Sequence, residues 1–187
     1  MSEQLKIQVL LFFYERRKLV GNALRSIAAQ TYSNYEVAFI DDSEYDPRYV
    51  SSGEDIFYSN KLGLDGRYIL YQTKDTKADK LARGGSQFGR MTNLAMANSN
   101  ADICIMLCDD DALESNYLKN LNEFFTNHQE INYCYSDVVI YDPLVENYED
   151  AIGRPVDHNH FLNVNKNPHP LGNSKDSSQV AWRRCSD

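Results

Sequence analysis

The 187-residue chain predicts an α/β fold, with a mainly parallel central sheet layered between helices in the manner of a Rossmann-like αβα sandwich. Three observations predict it. Short apolar runs without alternation, at 7–13, 35–42 and 102–107, have the pattern of strands covered on both faces. Helix-period stripes stand between and after them. Each run also leads into polar or acidic residues, as the carboxyl ends of strands in an open sheet do.

"IQVLLFF" (7–13) is the first strand. Leu19, Val20, Ala23, Leu24, Ile27 and Ala28 then recur with the spacing of one helical stripe. "YEVAFIDD" (35–42) is the second strand, so the first forty residues read β-α-β, which implies parallel strands and a right-handed crossover. The polar stretch 43–66 reads as loop with room for one short helix, and "RYILYQ" (67–72) as a third strand. The segment "ADKLARGGSQFGR" (78–90) holds three glycines, and "RMTNLAMANS" reads as the helix that follows. "DICIML" (102–107) is the fourth strand, Tyr117, Leu118, Leu121, Phe124 and Phe125 form another stripe, and "INYCYSDVVIY" (131–141) is a fifth strand. Beyond about residue 142 periodicity fades into a long excursion, with a returning strand within "SSQVAWRR" (177–184).

The length suits one domain with a sizeable core. Nineteen basic against 27 acidic residues give a net charge of −8, which argues against a reader of the nucleic-acid backbone. It does not argue against an anionic ligand held through a metal. The apolar run near the start is too short for a membrane span, and a cytoplasmic protein is the default expectation. Cys104, Cys108, Cys134 and Cys185 follow no framework spacing and read as reduced thiols.

Ligands of open α/β sheets gather beyond the carboxyl ends of the strands. Strand one ends at Phe13, Tyr14, Glu15 and Arg16, strand two at Asp41 and Asp42, and strand four at Asp109, Asp110 and Asp111. A single aspartate in such a place is often a turn former or a helix N-cap. Two acidic clusters on one rim repel each other unless a cation neutralises them, and Mg²⁺ or Mn²⁺ with oxygen ligands is the economical choice.

"VLLFFYERRKLVGNALRSIAAQTYSNYEVAFIDDSEYD" resembles the opening of family-2-type nucleotide-sugar glycosyltransferases of the GT-A fold, with their apolar strand, Thr-Tyr-Asn-Arg, amphipathic helix, "QTY", and strand into an acidic pair. "GRMTNLAMANSNADICIMLCDDDAL" is similar to their second signature, a helix and a strand entering a DxD-type metal motif, and "YCYSDVVIYD" and "DSSQVAWRR" resemble two weaker landmarks. The resemblance implies that Tyr14 packs on the nucleotide base, flanked by Phe13 and Glu15, and that Asp42 accepts the base imide N–H. It places Asp109 near the ribose hydroxyls, Arg83 or Arg90 near the phosphates, and Asp110, with Asp111, on the Mn²⁺ or Mg²⁺. The chemistry agrees, since a carboxylate reads an N–H flanked by carbonyls and an aromatic face grips any base.

Departures from the pattern are plain. Cys108 stands where the family's first DxD aspartate is found, shifting the acidic run to "CDDD". Phe12 replaces a proline, Glu15 an asparagine, and "GRMTN" the usual "ARN-x-G".

The resemblance further implies inverting transfer of a sugar, UDP-linked by preference, to a saccharide, lipid-linked or other hydroxyl acceptor. The family's general base lies some tens of residues past the "DSSQV" landmark, which puts its expected place beyond Asp187. The expectation is therefore a donor-binding half (1–112) and an incomplete start of an acceptor half (113–187) within one domain. Asp137 and Asp176 are candidate acceptor-side acids, and His158 and His160 a weak metal pair. Rival readings are a non-catalytic nucleotide-sugar-binding module, a phospho-acceptor receiver domain built on "VAFIDDS", and a sugar nucleotidyltransferase. The last lacks its Gly-rich loop after strand one. The acceptor, the oligomeric state and any peripheral contact with a membrane are left open by the sequence.

Overall fold

The computed structural model describes residues 4–14, 20–43, 64, 67–72, 75–84, 87–136 and 180–184, together with the backbone of 162 and 163. Their elements are β1 (Ile7–Phe13), α1 (Val20–Ala28), β2 (Tyr35–Asp41), β3 (Tyr68–Gln72), α2 (Lys77–Ala82), α3 (Phe88–Ala97), β4 (Ile103–Cys108), α4 (Tyr117–Asn127), β5 (Tyr133–Tyr135), β6 (Leu162–Asn163) and β7 (Val180–Arg183). The sequence-derived strands fall within a few residues of these. Of the long fifth strand, residues 137–141 lie outside the described part, as do Glu15, Arg16, Asp137, His158, His160, Asp176, Cys185 and Asp187. Helix α2 was not expected.

One seven-stranded sheet has the order β3-β2-β1-β4-β7-β5-β6. Strands β3, β2, β1 and β4 are mutually parallel, and β7, β5 and β6 add antiparallel pairs at the other side. The chain steps outward from β1 to β3 and then returns to lay β4 against the opposite edge of β1. Strand order therefore reverses between β1 and β4, which is where open sheets leave a crevice.

Alternation along β1 sorts the two layers. Ile7, Val9, Leu11 and Phe13 join α1 and α4 through Leu24, Ile27, Leu118, Leu121 and Phe125, all in one buried cluster. Leu10 and Phe12 turn to the other face, where Met91 and Ala95 of α3 cover them. Each large apolar side chain so buried contributes about 1.5–3 kcal/mol, which is why both faces of a continuous apolar run require a helix layer.

One polar residue interrupts this strand. Gln8 is 1% exposed, and its amide nitrogen donates to Glu36 Oε1 and to the carbonyl of Ala95, both at 3.1 Å. Its oxygen accepts from Cys104 Sγ at 3.7 Å. Ala95 lies in the last turn of α3, whose carbonyls have no intrahelical donor. Gln8 supplies one through the sheet and pins the helix's carboxyl end. The amino end is held by Phe88, whose ring stacks on Phe12 with centroids 3.9 Å apart.

Candidate functional site

Strand register brings the acids level. Phe13 stands opposite Asp41 of β2, and Phe12 opposite Cys108 of β4. Tyr14, Asp42 and Asp109 therefore leave the sheet one step past its edge on three adjacent strands.

The two acids closing β2 divide their work. Asp41 accepts from the backbone N–H of Ser43 at 2.9 Å and from Gln72 Nε2 at 3.0 Å, so it closes a turn and ties β3 to β2. Asp42 donates its backbone N–H to Phe13 O at 3.0 Å, which locks the end of β2 to β1, and its carboxylate lines a cleft. The triple aspartate is divided similarly. Asp111 N–H donates to Cys108 O at 3.2 Å, closing a tight turn over the run. Asp109 is thereby buried at 1% exposure, Asp110 is exposed and Asp111 half-buried. The Cys108 thiol and one carboxylate oxygen each of Asp110 and Asp111 lie within 4.8 Å of one another. Two carboxylates and a sulfur at that spacing fit a divalent cation after modest closure. The oxygens suit Mg²⁺ and Mn²⁺, and the sulfur tilts the set from Mg²⁺ toward Mn²⁺ and softer ions.

The "QTY" triplet holds the segment that follows. Gln30 donates to the carbonyl of Glu114 at 2.7 Å and accepts from the N–H of Leu118 at 3.0 Å, capping the start of α4. Thr31 N–H donates to Ser115 O at 2.9 Å, and Thr31 Oγ1 reaches Asn116 Oδ1 at 2.9 Å. Tyr32 OH donates to Leu5 O at 2.6 Å beside Asn122 of α4. The motif is thus a clamp that fastens the end of α1 to the loop leaving the acidic turn.

These strand ends open onto a cleft of about 630 Å³, lined among others by Phe12, Tyr14, Asp42, Lys80, Phe88 and Asp109. Its floor is the Phe12–Phe88 stack. Tyr14 is 52% exposed, so its aromatic side chain is within reach of a planar ligand. Helix α2 forms one wall. Lys80 Nζ lies 3.1 Å from Asp42 Oδ1 and 5.1 Å from the Tyr14 ring centroid, with its side chain only 12% exposed. Lys77, one turn earlier, lines the same cleft.

Other sequence-derived candidates stand as follows. Phe13 is buried, stacks on Phe39 and lines the cleft. Arg83 pairs with Asp75 at 2.9 Å on an exposed rim, and Arg90 is exposed on α3; neither lines the cleft. Among the described residues, the cations that do line it, Lys77 and Lys80, went unnoticed in the sequence, as did Phe88. One signal could have found them. Thr76 and Asp79 form a reciprocal capping box, and Gly84 sits at φ 81° just past the helix end, so "TKADKLARG" carries both a start and a stop. The Thr76 hydrogen bonds also hold the Asp79 carboxyl below its ordinary value.

Among solved structures, the chain is similar to Staphylococcus aureus TarS residues 1–349, at 20% identity with a TM-score of 0.53, over 76% of this chain and 40% of that one. The same protein in complex with UDP-GlcNAc gives 20% and 0.53, over 76% and 38%. The mannosyltransferase PcManGT from Pyrobaculum calidifontis, in complex with GDP-Man and Mn²⁺, gives 13% and 0.50, over 71% and 35%. No family model and no curated protein matches the chain. The likeness establishes a GT-A-like Rossmann fold, and the chain spans 40% or less of the length of these neighbours.

Proposed function

We propose that the chain binds a nucleotide-diphospho-sugar, UDP-linked by preference, and belongs to a metal-dependent inverting glycosyltransferase of the family-2 type acting in the cytoplasm. The observation that carries the reading is the convergence of Tyr14, Asp42 and Asp109 from three strand ends on one cleft beside the Cys108–Asp110–Asp111 cluster. The neighbours' complexes with UDP-GlcNAc and with GDP-Man and Mn²⁺ support it by fold.

Each residue has a task. Tyr14 offers its aromatic side chain to the base, Asp42 accepts the ring N–H, and Asp109 accepts from a ribose hydroxyl. Asp110 and Asp111, with Cys108, would hold Mn²⁺ or Mg²⁺, which would neutralise charge on a departing diphosphate. The buried acids and the apolar floor keep water from the donor's base end. Residues 1–112 form the donor half and 113–187 the start of the acceptor half, where a hydroxyl-bearing saccharide or lipid-linked acceptor would dock. No described residue of the chain is assigned the role of general base. The receiver-type alternative is disfavoured by topology, because β7 and β5 run antiparallel beyond β4 where that fold is wholly parallel.

Calorimetry with UDP, GDP and dTDP, each with and without Mn²⁺, tests the reading. Metal-dependent binding to at least one is expected. It should fall at least about tenfold in Asp110→Asn, the loss of one charged ligand, and persist in Glu123→Gln on the exposed face of α4. Absence of metal-dependent binding to all three would sink it.

A further inference from the structure

We propose that α2 is a lid held shut over the cleft by Lys80, and that a nucleotide binds only by displacing the Lys80 ammonium from Asp42 and Tyr14. The inference rests on the nucleotide-binding reading above and adds a closed, self-occupied state to it.

The helix has no apolar anchor. Of its six residues, Lys77–Ala82, none is buried and only Lys80 is not exposed. Leu81, its largest apolar side chain, is 75% exposed. The Thr76–Asp79 capping box and the Arg83–Asp75 ion pair both lie within 75–84, so they shape the helix without fastening it to the sheet. Lys80 does reach across. Its Nζ stands 3.1 Å from Asp42 Oδ1 and 5.1 Å over the Tyr14 ring centroid, and the side chains of the ion pair are only 12% and 11% exposed. Nζ and Oδ1 are both sealed from solvent. An element that buries little apolar surface opens at low cost. Desolvation also offsets much of the Coulomb gain of a covered ion pair, so such a tether holds α2 in place yet yields to a competing donor.

Closure and ligand compete for the same space. A base that stacks on Tyr14 and donates its ring N–H to Asp42 puts its ring about 4.5–7 Å from the tyrosine's, where the ammonium now stands. Its N–H also needs a carboxylate that Lys80 covers at Oδ1. Binding therefore exchanges one charge-assisted contact for another, and Lys80 takes α2 outward with it. The apparent dissociation constant is the intrinsic one divided by the fraction of chains whose lid is open. Removing the tether raises that fraction and tightens binding.

The test titrates UDP, GDP and dTDP, each with Mn²⁺, into the full chain and into Lys80→Met, which keeps the length of the side chain and loses its charge. Lys80→Met should bind at least one of them about tenfold more tightly than the unaltered protein, the effect of losing one contact to a charged group. A Lys80 that grips the ligand would give weaker binding instead. Equal or weaker binding by the variant overturns the lid and leaves the nucleotide-binding reading in place; no binding of any of the three by either protein removes both. Should Lys80→Met fail to fold, amine acylation of the unaltered protein followed by mass spectrometry answers the same question. Saturating nucleotide with Mn²⁺ should raise the labelling rate of Lys80 several-fold, with Lys119 on the exposed face of α4 as the reference. A rate that falls or stays the same refutes the inference.

Discussion

Replacing Gln8 by leucine tests whether a single buried amide fixes the helix that walls the cleft. The substitution nearly preserves volume, so packing changes little, but it removes both donors and the acceptor at a site 1% exposed. The Ala95 carbonyl in the last turn of α3 loses its sheet-side donor, and a buried group left unsatisfied costs about 1–3 kcal/mol. Glu36 loses less, about 0.5 kcal/mol, because it also pairs with Lys6 and reaches solvent. Burying the leucine returns about 1 kcal/mol. The net expectation is a destabilisation of about 1–2 kcal/mol, or roughly 2–8 °C in Tm for a domain of this size. Urea unfolding with an unchanged slope measures it. Gln8→Glu should be worse at neutral pH, since a carboxylate would face Glu36 and the Ala95 carbonyl together. Its pKa would be raised in the folded state, so part of the loss should return as pH falls and the carboxyl regains a donor. If Gln8→Leu is neutral within about 0.5 kcal/mol, the network does not hold α3 and the reasoning fails.

Further outcomes follow from the thiols. Burial pushes Cys104 and Cys134 up from 9.0 to about 12, so the unfolded chain releases these protons first and stability should fall as pH rises from about 9 to 12. Burial raises the Tyr32, Tyr71 and Tyr117 hydroxyls in the same direction, adding to the alkaline loss above pH 10.0. Denaturation midpoints of Cys104→Ala/Cys134→Ala should therefore depend less steeply on pH in that window. Alkylation followed by mass spectrometry should label the half-exposed Cys108 at neutral pH well before Cys104 and Cys134, and Mn²⁺ with a bound nucleotide should slow it. Equal labelling with and without both would remove Cys108 from the ligand set.

The layers of the fold were legible because their signal is local. A continuous apolar run such as "IQVLLFF" must be covered on both faces, and the stripes at 20–28 and 117–125 supply one cover while Met91 and Ala95 supply the other. The acids at the ends of β2 and β4 were legible for the same reason, as charge placed directly after buried strands. Helix α2 was not, because it buries no apolar side chain and so carries no hydrophobic period; only its capping residues mark it. The sequence could not divide neighbouring acids either. Asp41 and Asp42 look alike in a string, but strand alternation sends one to a turn with Ser43 and Gln72 and the other to the cleft. The same holds for Asp109 against Asp110 and Asp111, which a tight turn separates by burial.

By itself, then, the sequence determined the strand–helix order, the two covered faces of the sheet and the rim where ligand chemistry gathers. Only the tertiary structure decided which side chains meet there. Lys80 lies 38 residues from Asp42 and 66 from Tyr14, and what joins them is the docking of a short, capped helix over strand ends aligned by parallel register. Hydrophobic pattern reports what must be buried, whereas a polar site is set by distances between residues far apart in the chain.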